Sequence, residues 1–481
     1  MAASYFFYDL ETSGFSPSGA RIMQFAGIRT DEALQPIGEP VNVYIKLAAD
    51  VLPEPDAVLI TGITPQQTIS EGLTEAEFLK YFYDEVVQKD TTFLGFNSVR
   101  FDDEFMRYLH YRNFYDPYEW QWADGCSRWD ILDLVRMTRA LRPEGIEWPF
   151  TPEGKPTNRL ELMTKLNGLD HYQAHDALSD VYATIAVAKL IRDKQPGLFK
   201  YLFEARNKKV VSELVLKGQP FVYTSGKYPG ETQHTTAVAY LADHPQSGSA
   251  FVFDLRYDPV PFAKMGIEEL ATAWRWNPDK EAVRLPVKTM KFNRCPAVAP
   301  IGVLDAAAQE RLQLPLETIQ GNYNKLKAVQ KELTDKMLQV QKLSEKERAE
   351  APKEPTTVDS QLYDGGFISD ADKMVMKSVR QAPPTDIMSF ESRFHDGRLK
   401  ELLPLYVARN YPQSLTSEQR LAWDVHCAER LFDGGASSRL AKYFARLDEL
   451  KQQPDLDDNK KYLLEELRLY GEAIMPSDVT A

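Results

Sequence analysis

Between residues 5 and 194 the chain alternates short runs of aromatic and branched residues with longer stretches of helical apolar spacing, and few architectures accept that pattern. The runs at 5–10, 22–30 and 41–46 come first and read as successive strands, with a short apolar run at 93–96 as another. Apolar residues recur at helical spacing over 74–87, and more clearly over 176–191. Three neighbouring strands followed by alternating helix and strand predict a mixed α/β sheet.

The texture then changes twice. Short strand candidates at 221–225, 236–241, 250–255 and 283–291, separated by turns rich in Pro, Gly and Asp, predict a small β-rich domain. Residues 316–350 are highly charged, good helix-forming material, and the Pro-rich stretch 351–355 is the best linker candidate. Helices are expected at 369–380, 398–408, 417–432, 441–452 and 460–474. At 481 residues the chain is too long for one ordinary core. The reading is three domains: 1–194, 195–354 and 355–481. No apolar run approaches the roughly 20 residues needed to span a bilayer, and the N-terminus lacks the basic region of a signal peptide. Cys126, Cys295 and Cys427 match no zinc or redox spacing, so reduced thiols in a cytoplasmic protein are expected. The net charge of −13 counts against a nucleic-acid ligand only weakly, because phosphate binding depends on local basic surface.

Three segments carry acids in places where chemistry is possible. Asp9 and Glu11 close the first strand, and side chains at i and i+2 share a face. Asp102, Asp103 and Glu104 follow the strand at 93–96 and open a helix. His175, Asp176 and Asp180 lie at the start of the helix over 176–191. Each segment alone has a plain explanation: a pair of solvated acids, helix caps at Asp102, Asp103 or Asp176, a structural histidine. Together, Asp9, Glu11, Asp102, His175 and Asp180 fit the D-x-E…D…H-x-x-x-x-D order of exonucleases of the DEDD superfamily with a catalytic histidine.

The residue types suit phosphodiester hydrolysis. Two Mg²⁺ ions roughly 4 Å apart stabilise both the attacking and the leaving oxygen, and such hard cations select carboxylates. Asp9, Glu11 and Asp180 are the expected direct ligands, with Asp102 completing the site and Mn²⁺ able to substitute. His175, with an ordinary pKa near ~6.5, can take a proton from the attacking water.

The phrases around these residues go further. YDLET at 8–12, LITGITP at 59–65, FDDE at 101–104, YRNFYDPY at 111–118, ALRPEG at 140–145 and DVYATI at 180–185 resemble bacterial exonuclease I, with later echoes in QLY at 361–363 and ARN at 408–410. The resemblance implies an RNase H-like exonuclease domain, an SH3-like domain and an all-helical C-terminal domain closing a channel around single-stranded DNA. It implies 3′→5′ release of 5′-mononucleotides, with a role in DNA repair and recombination. Carried over by the matching phrases are Arg107, Tyr118, Trp122 and Arg136 as strand contacts, and Arg159, with Glu11, near the terminal nucleotide. Lys208 and the run Arg284, Lys288, Lys291 and Arg294 extend a basic path, for which a solvated basic face is the plain alternative.

The family also docks the acidic C-terminal tail of single-stranded DNA-binding protein. Arg142 and Tyr201 are the receptor that the resemblance implies, beside a purely structural reading of both. A monomer is expected. The competing readings are an exoribonuclease of the same superfamily, since the metal chemistry is indifferent to the sugar, and a non-catalytic single-strand-binding protein. The intact set of five catalytic residues opposes the second.

Overall fold

The computed structural model of the chain describes residues 4–169, 176–275, 277–279, 282–350, 357–454 and 456–474. The chain divides into two compact units. The first comprises Met1–Ser127, Tyr172–Tyr182 and Pro355–Ala481; the second comprises Arg128–His171 and Ala183–Glu354.

The first sheet is the mixed one expected. Its strands are β1 (Ser4–Thr12), β2 (Ile22–Thr30), β3 (Val41–Tyr44), β4 (Thr91–Gly95) and β5 (Ser127–Asp130), in the order β3-β2-β1-β4-β5. β1 pairs antiparallel with β2 and parallel with β4. Its alternation divides the labour between two faces. Phe6, Tyr8 and Leu10 enter a core with Phe25, Phe78, Phe82, Phe93 and Trp120, which leaves Asp9 and Glu11 on the opposite face. The helical stretch expected at 74–87 is a helix at Glu75–Tyr81, held by a capping box between Thr74 and Glu77, followed by a wider turn at Phe82–Val86.

The C-terminal residues of this unit are helical, at Asp370–Gln381, Gly397–Asn410, Ser417–Phe432, Arg439–Lys451 and Asp458–Ala473. They pack on nuclease residues of the same unit. Tyr108, Tyr111 and Phe114 share a buried cluster with Val358, Leu362, Leu402 and Tyr406. A buried charge network adds to this packing. The Asp359 carboxylate accepts from Arg21 at 3.2 Å, Arg409 at 2.7 Å and Arg430 at 2.9 Å, and Arg409 also holds Asp50 at 2.6 Å.

Burial alone would push the Asp359 carboxyl up, but the guanidiniums of Arg409, Arg21 and Arg430 hold it well below the ordinary carboxylate range. A carboxyl with a depressed folded pKa stabilises the fold above its unfolded value and loses that contribution as pH falls. Asp359→Ala is therefore expected to cost about 3–5 kcal/mol at neutral pH, because three buried guanidiniums lose the carboxylate they share, and Asp50 and Glu75 then face them alone. Urea unfolding of both proteins at pH 7 and pH 3 checks this. The gap should narrow at the lower pH.

The second unit contains the β-rich segment. β6 (Phe221–Thr224), β7 (Thr235–Asp243), β8 (Ser249–Asp254), β9 (Val287–Lys291) and β10 (Ala297–Pro300) form an antiparallel sheet in the order β10-β6-β7-β8-β9. The strand expected from residue 283 begins only at Val287, just past Pro286, which has no backbone N–H for a ladder. β10 and the helices Pro259–Lys264 and Ile267–Trp274 were not anticipated. The charged stretch 316–350 is one helix, Leu316–Glu350, whose buried residues include Ile319, Tyr323, Leu326, Leu333, Met337 and Val340 at spacings of three, four and seven, which share one helix face. Gln330 and Thr334 both donate to the Leu241 carbonyl in β7, and Asn322 donates to the carbonyl of Leu255. The linker expected at 351–355 lies outside the described residues. The three cysteines are free, in keeping with their spacing. No helix among the described residues is long and apolar enough to cross a membrane.

Candidate active site

Three elements of the first unit deliver the acids. β1 carries Asp9 and Glu11, and its pairing with β2 shifts register between Glu11 and Thr12, where the strand ends. β4 stops at Gly95, where a Cβ would lie 2.9 Å from the Tyr8 carbonyl and 2.7 Å from the Ser98 Cβ, so only glycine fits. The chain then turns through Asn97, at φ +69°, and the Asp103 N–H donates to the Ser98 carbonyl at 2.9 Å. The turn places Asp102 at the first residue of the helix Asp102–Arg112. The helix Ala177–Lys194 brings Asp180.

The carboxylate oxygens of Asp9, Glu11 and Asp180 all lie within 4.8 Å of one another. Residues 171 places apart in the sequence thus converge on one point, and Asp102, almost fully buried, faces them closely enough to raise both β1 carboxyls. Burial, then Asp102, Glu11 and Asp180, push Asp9 well above the ordinary range. Burial, then Asp180 and Asp102, push Glu11 up to about 8. Like charges this close cannot all ionise at neutral pH without a cation to compensate them. The donors are all carboxylate oxygens, which fit a hard divalent cation and not a soft one. The site is an acidic metal-binding cluster.

Two of the plain explanations are now decided. Phe101, not Asp102 or Asp103, occupies the N-cap of the helix Asp102–Arg112. Asp176 does act as a cap: its carboxylate accepts from the Ser179 N–H at 2.9 Å. His175 lies outside the described residues.

The expected strand contacts scatter more widely. In the first unit, Arg107 is buried, bound to Glu104 at 2.6 Å and to Gln121 at 3.0 Å, and lies over the Tyr118 ring at 5.4 Å. Trp122 is 64% exposed, whereas Trp120, two residues before it, is core. Tyr363, whose hydroxyl donates to Glu104, and Phe367, 88% exposed with its ring 6.0 Å from Tyr118, extend this surface. Neither was singled out from the sequence, although QLY at 361–363 belonged to the later echoes.

In the second unit Trp129 packs on Phe199 and Phe203 and is core. Arg136 pairs with Asp133 at 2.9 Å, and Arg159 is exposed and pairs with Glu161 at 2.5 Å. Lys208 begins the helix Lys208–Leu216 and is exposed. Lys288 and Lys291 stand three apart on β9, hence on opposite faces of the strand, so that part of the basic run is not one surface. Burial pushes Lys288 below its ordinary value. Arg294 follows in the turn after β9, half-buried. Arg142, at the end of the helix Ile131–Leu141, binds Asp305 at 3.2 Å and the Val303 carbonyl at 3.1 Å. Tyr201 is half-buried, which raises its hydroxyl.

Comparison with known proteins agrees with this arrangement. Residues 6–188 match the family model described as exonuclease, residues 206–342 the exonuclease I SH3-like domain, and residues 356–474 the exonuclease I C-terminal domain. The exodeoxyribonuclease I of Escherichia coli is 41% identical over 484 residues, covering 98% of each chain. That of Haemophilus influenzae is 39% identical over 475 residues, covering 97% of this chain and 98% of the relative. The crystal structure of E. coli exonuclease I in complex with a dA16 oligonucleotide superposes with a TM-score of 0.90 at 38% identity, covering 98% of this chain and 100% of that one. An SSB/exonuclease I structure with the inhibitor CFAM superposes with a TM-score of 0.88 at 38% identity, covering 99% and 100%. With all three family models met in order and relatives matched from end to end, the chain belongs to the exodeoxyribonuclease I family.

Proposed function

We propose that this protein hydrolyses single-stranded DNA from the 3′ end, releasing 5′-mononucleotides, and serves DNA repair and recombination as a cytoplasmic monomer. The observation that carries this reading is the meeting of the Asp9, Glu11 and Asp180 carboxylates within 4.8 Å, beside buried Asp102. Membership of the exodeoxyribonuclease I family supports the substrate.

Asp9, Glu11 and Asp180 hold two Mg²⁺ ions in this account, with Asp102 completing the set and Mn²⁺ able to substitute. When bound, the ions supply charge stabilisation at the attacking and leaving oxygens. His175 takes the proton from the attacking water, whose oxygen bonds to phosphorus as the bond to the 3′-oxygen of the preceding nucleotide breaks. Glu11 and Arg159 hold the terminal nucleotide. Arg107, Tyr118, Trp122 and Arg136 bind the strand behind it, and Lys208, exposed Lys291 and Arg294 continue the basic path, without Lys288 on the other face of β9. Exposed Trp122 and the Tyr118 ring suit base stacking, which tolerates any sequence because every base has a π-face.

We take the domains as 1–194, 195–354 and 355–481, each of which encloses one matched family segment. The acidic tail of single-stranded DNA-binding protein is the proposed partner of Arg142 and Tyr201. A tail carboxylate would compete with Asp305 for the Arg142 guanidinium.

The test is kinetic. Matched deoxy and ribo single strands, and the deoxy strand annealed as a blunt duplex, are digested in Mg²⁺. The deoxy single strand is expected to be degraded fastest. Equal or faster loss of the ribo strand would assign the protein to RNA.

A further inference from the structure

The hydrogen bond between Tyr8 and Asp103 links two of the three elements that carry the metal-site acids, β1 and the helix Asp102–Arg112. The Tyr8 hydroxyl donates to the Asp103 carboxylate at 2.6 Å, across 95 residues, with both side chains buried. Tyr8 directly precedes Asp9, and Asp103 directly follows Asp102. The bond therefore ties the backbone beneath one acid to the backbone beneath the other.

The surroundings hold both ends in place. The Tyr8 ring is wedged in the core, stacked on Phe25 at 5.9 Å with its edge to Phe93 and Trp120 at 6.5 and 6.2 Å. The paired register of β1 with β4 runs from Ser4 opposite Thr91 to Phe7 opposite Leu94, one residue short of Tyr8. Past that point β4 ends and the chain turns toward the helix Asp102–Arg112. The phenol–carboxylate bond spans the gap where that register stops. The second Asp103 oxygen lies 4.0 Å from Arg107, whose guanidinium also holds Glu104 and Gln121 and rests over Tyr118.

We propose that Tyr8 and Asp103 are positioning residues: their hydrogen bond fixes the start of the helix Asp102–Arg112 so that Asp102 faces Asp9 and Glu11, and Asp103 orients Arg107 from the same carboxylate. This rests on the metal-dependent reading given above. A core tyrosine that merely satisfies a buried carboxylate would have the same hydrogen bond but no influence on the metal.

Tyr8→Phe removes the hydroxyl and keeps the ring, so core packing survives. Titration calorimetry with Mn²⁺ alone, in the absence of DNA, is expected to show an affinity about 10-fold weaker than in the wild type, the usual cost of losing an outer partner of a metal site. Turnover at fixed Mn²⁺ should fall with kcat, while KM for a short oligonucleotide stays near the wild-type value. Asp103→Asn keeps an acceptor for Tyr8 but removes the charge facing Arg107, and should raise KM more than it lowers kcat. This second variant also keeps the proposal testable should Tyr8→Phe fold poorly. Unchanged Mn²⁺ affinity and kcat in a folded Tyr8→Phe protein would overturn the positioning role and leave the metal site standing. A wild type that binds Mn²⁺ no better than Asp9→Ala would overturn the metal reading and the brace with it.

Discussion

Asp9→Ala, Glu11→Ala and Asp180→Ala are each expected to lower turnover by at least about 10³-fold, corresponding to several kcal/mol of lost transition-state stabilisation. The three carboxylates lie within 4.8 Å of one another, so each removal deletes one wall of a single site. The same crowding predicts an opposite effect on stability. Glu11 has an ordinary value of 4.5 and is pushed to about 8 in the fold, by burial first and then by Asp180 and Asp102. Between those values the folded state binds more protons than the unfolded one, so stability falls as pH rises. The metal-free protein should therefore melt at a lower temperature at pH 8 than at pH 5, and Mg²⁺ should restore most of the loss. Asp9→Asn, which removes a charge and keeps the shape, should melt higher than the wild type at pH 8 in EDTA while being nearly inactive. Scanning fluorimetry with and without Mg²⁺ checks the first claim and single-turnover digestion the second. A variant with near-normal turnover would remove that residue from the ligand set.

His175→Ala is expected to lower turnover by roughly 10²–10⁴-fold, the range for a lost general base. The wild-type rate should fall as pH drops below about 6.5, where an unperturbed imidazole becomes protonated and can no longer accept. In the variant that limb should flatten, and Mn²⁺ affinity measured without DNA should stay near the wild-type value. This separates the two classes of residue: loss of an acid weakens the metal, whereas loss of the base leaves it bound. An active variant that retains the acid limb would give His175 a structural role only.

The site was more legible in the sequence than the surfaces around it. Asp9 and Glu11 could be placed on one face because strand alternation needs only the residues between them, and Phe6, Tyr8 and Leu10 do fill the opposite face. Asp102 and Asp180 could be joined to them only by the order of the motif, which spacing alone does not fold. Among the elements that escaped, some are too short to show a period. β5 is four residues, Ser127–Asp130, half of them charged, and β10 is four residues ending at Pro300. The helix Pro259–Lys264 spans less than two turns and contains two prolines. The basic run failed as a single surface for a geometric reason. Lys288 and Lys291 are near in sequence, but a strand turns residues three apart to opposite sides. Long-range polar contacts left no trace at all. Nothing within a sequence window announces that Tyr8 reaches Asp103 across 95 residues, or that Asp359 lies among Arg21, Arg409 and Arg430.

In the proposed function the acidic cluster drives metal-dependent removal of nucleotides from the 3′ end of single strands. Digestion of one oligonucleotide, labelled in parallel at its 5′ and its 3′ end, tests it most directly when run in Mg²⁺ and in EDTA. In Mg²⁺ the 3′ label should appear at once as mononucleotide, while the 5′-labelled strand shortens from its far end. EDTA should stop both. Release of the 5′ label first, or digestion that continues in EDTA, would contradict the account.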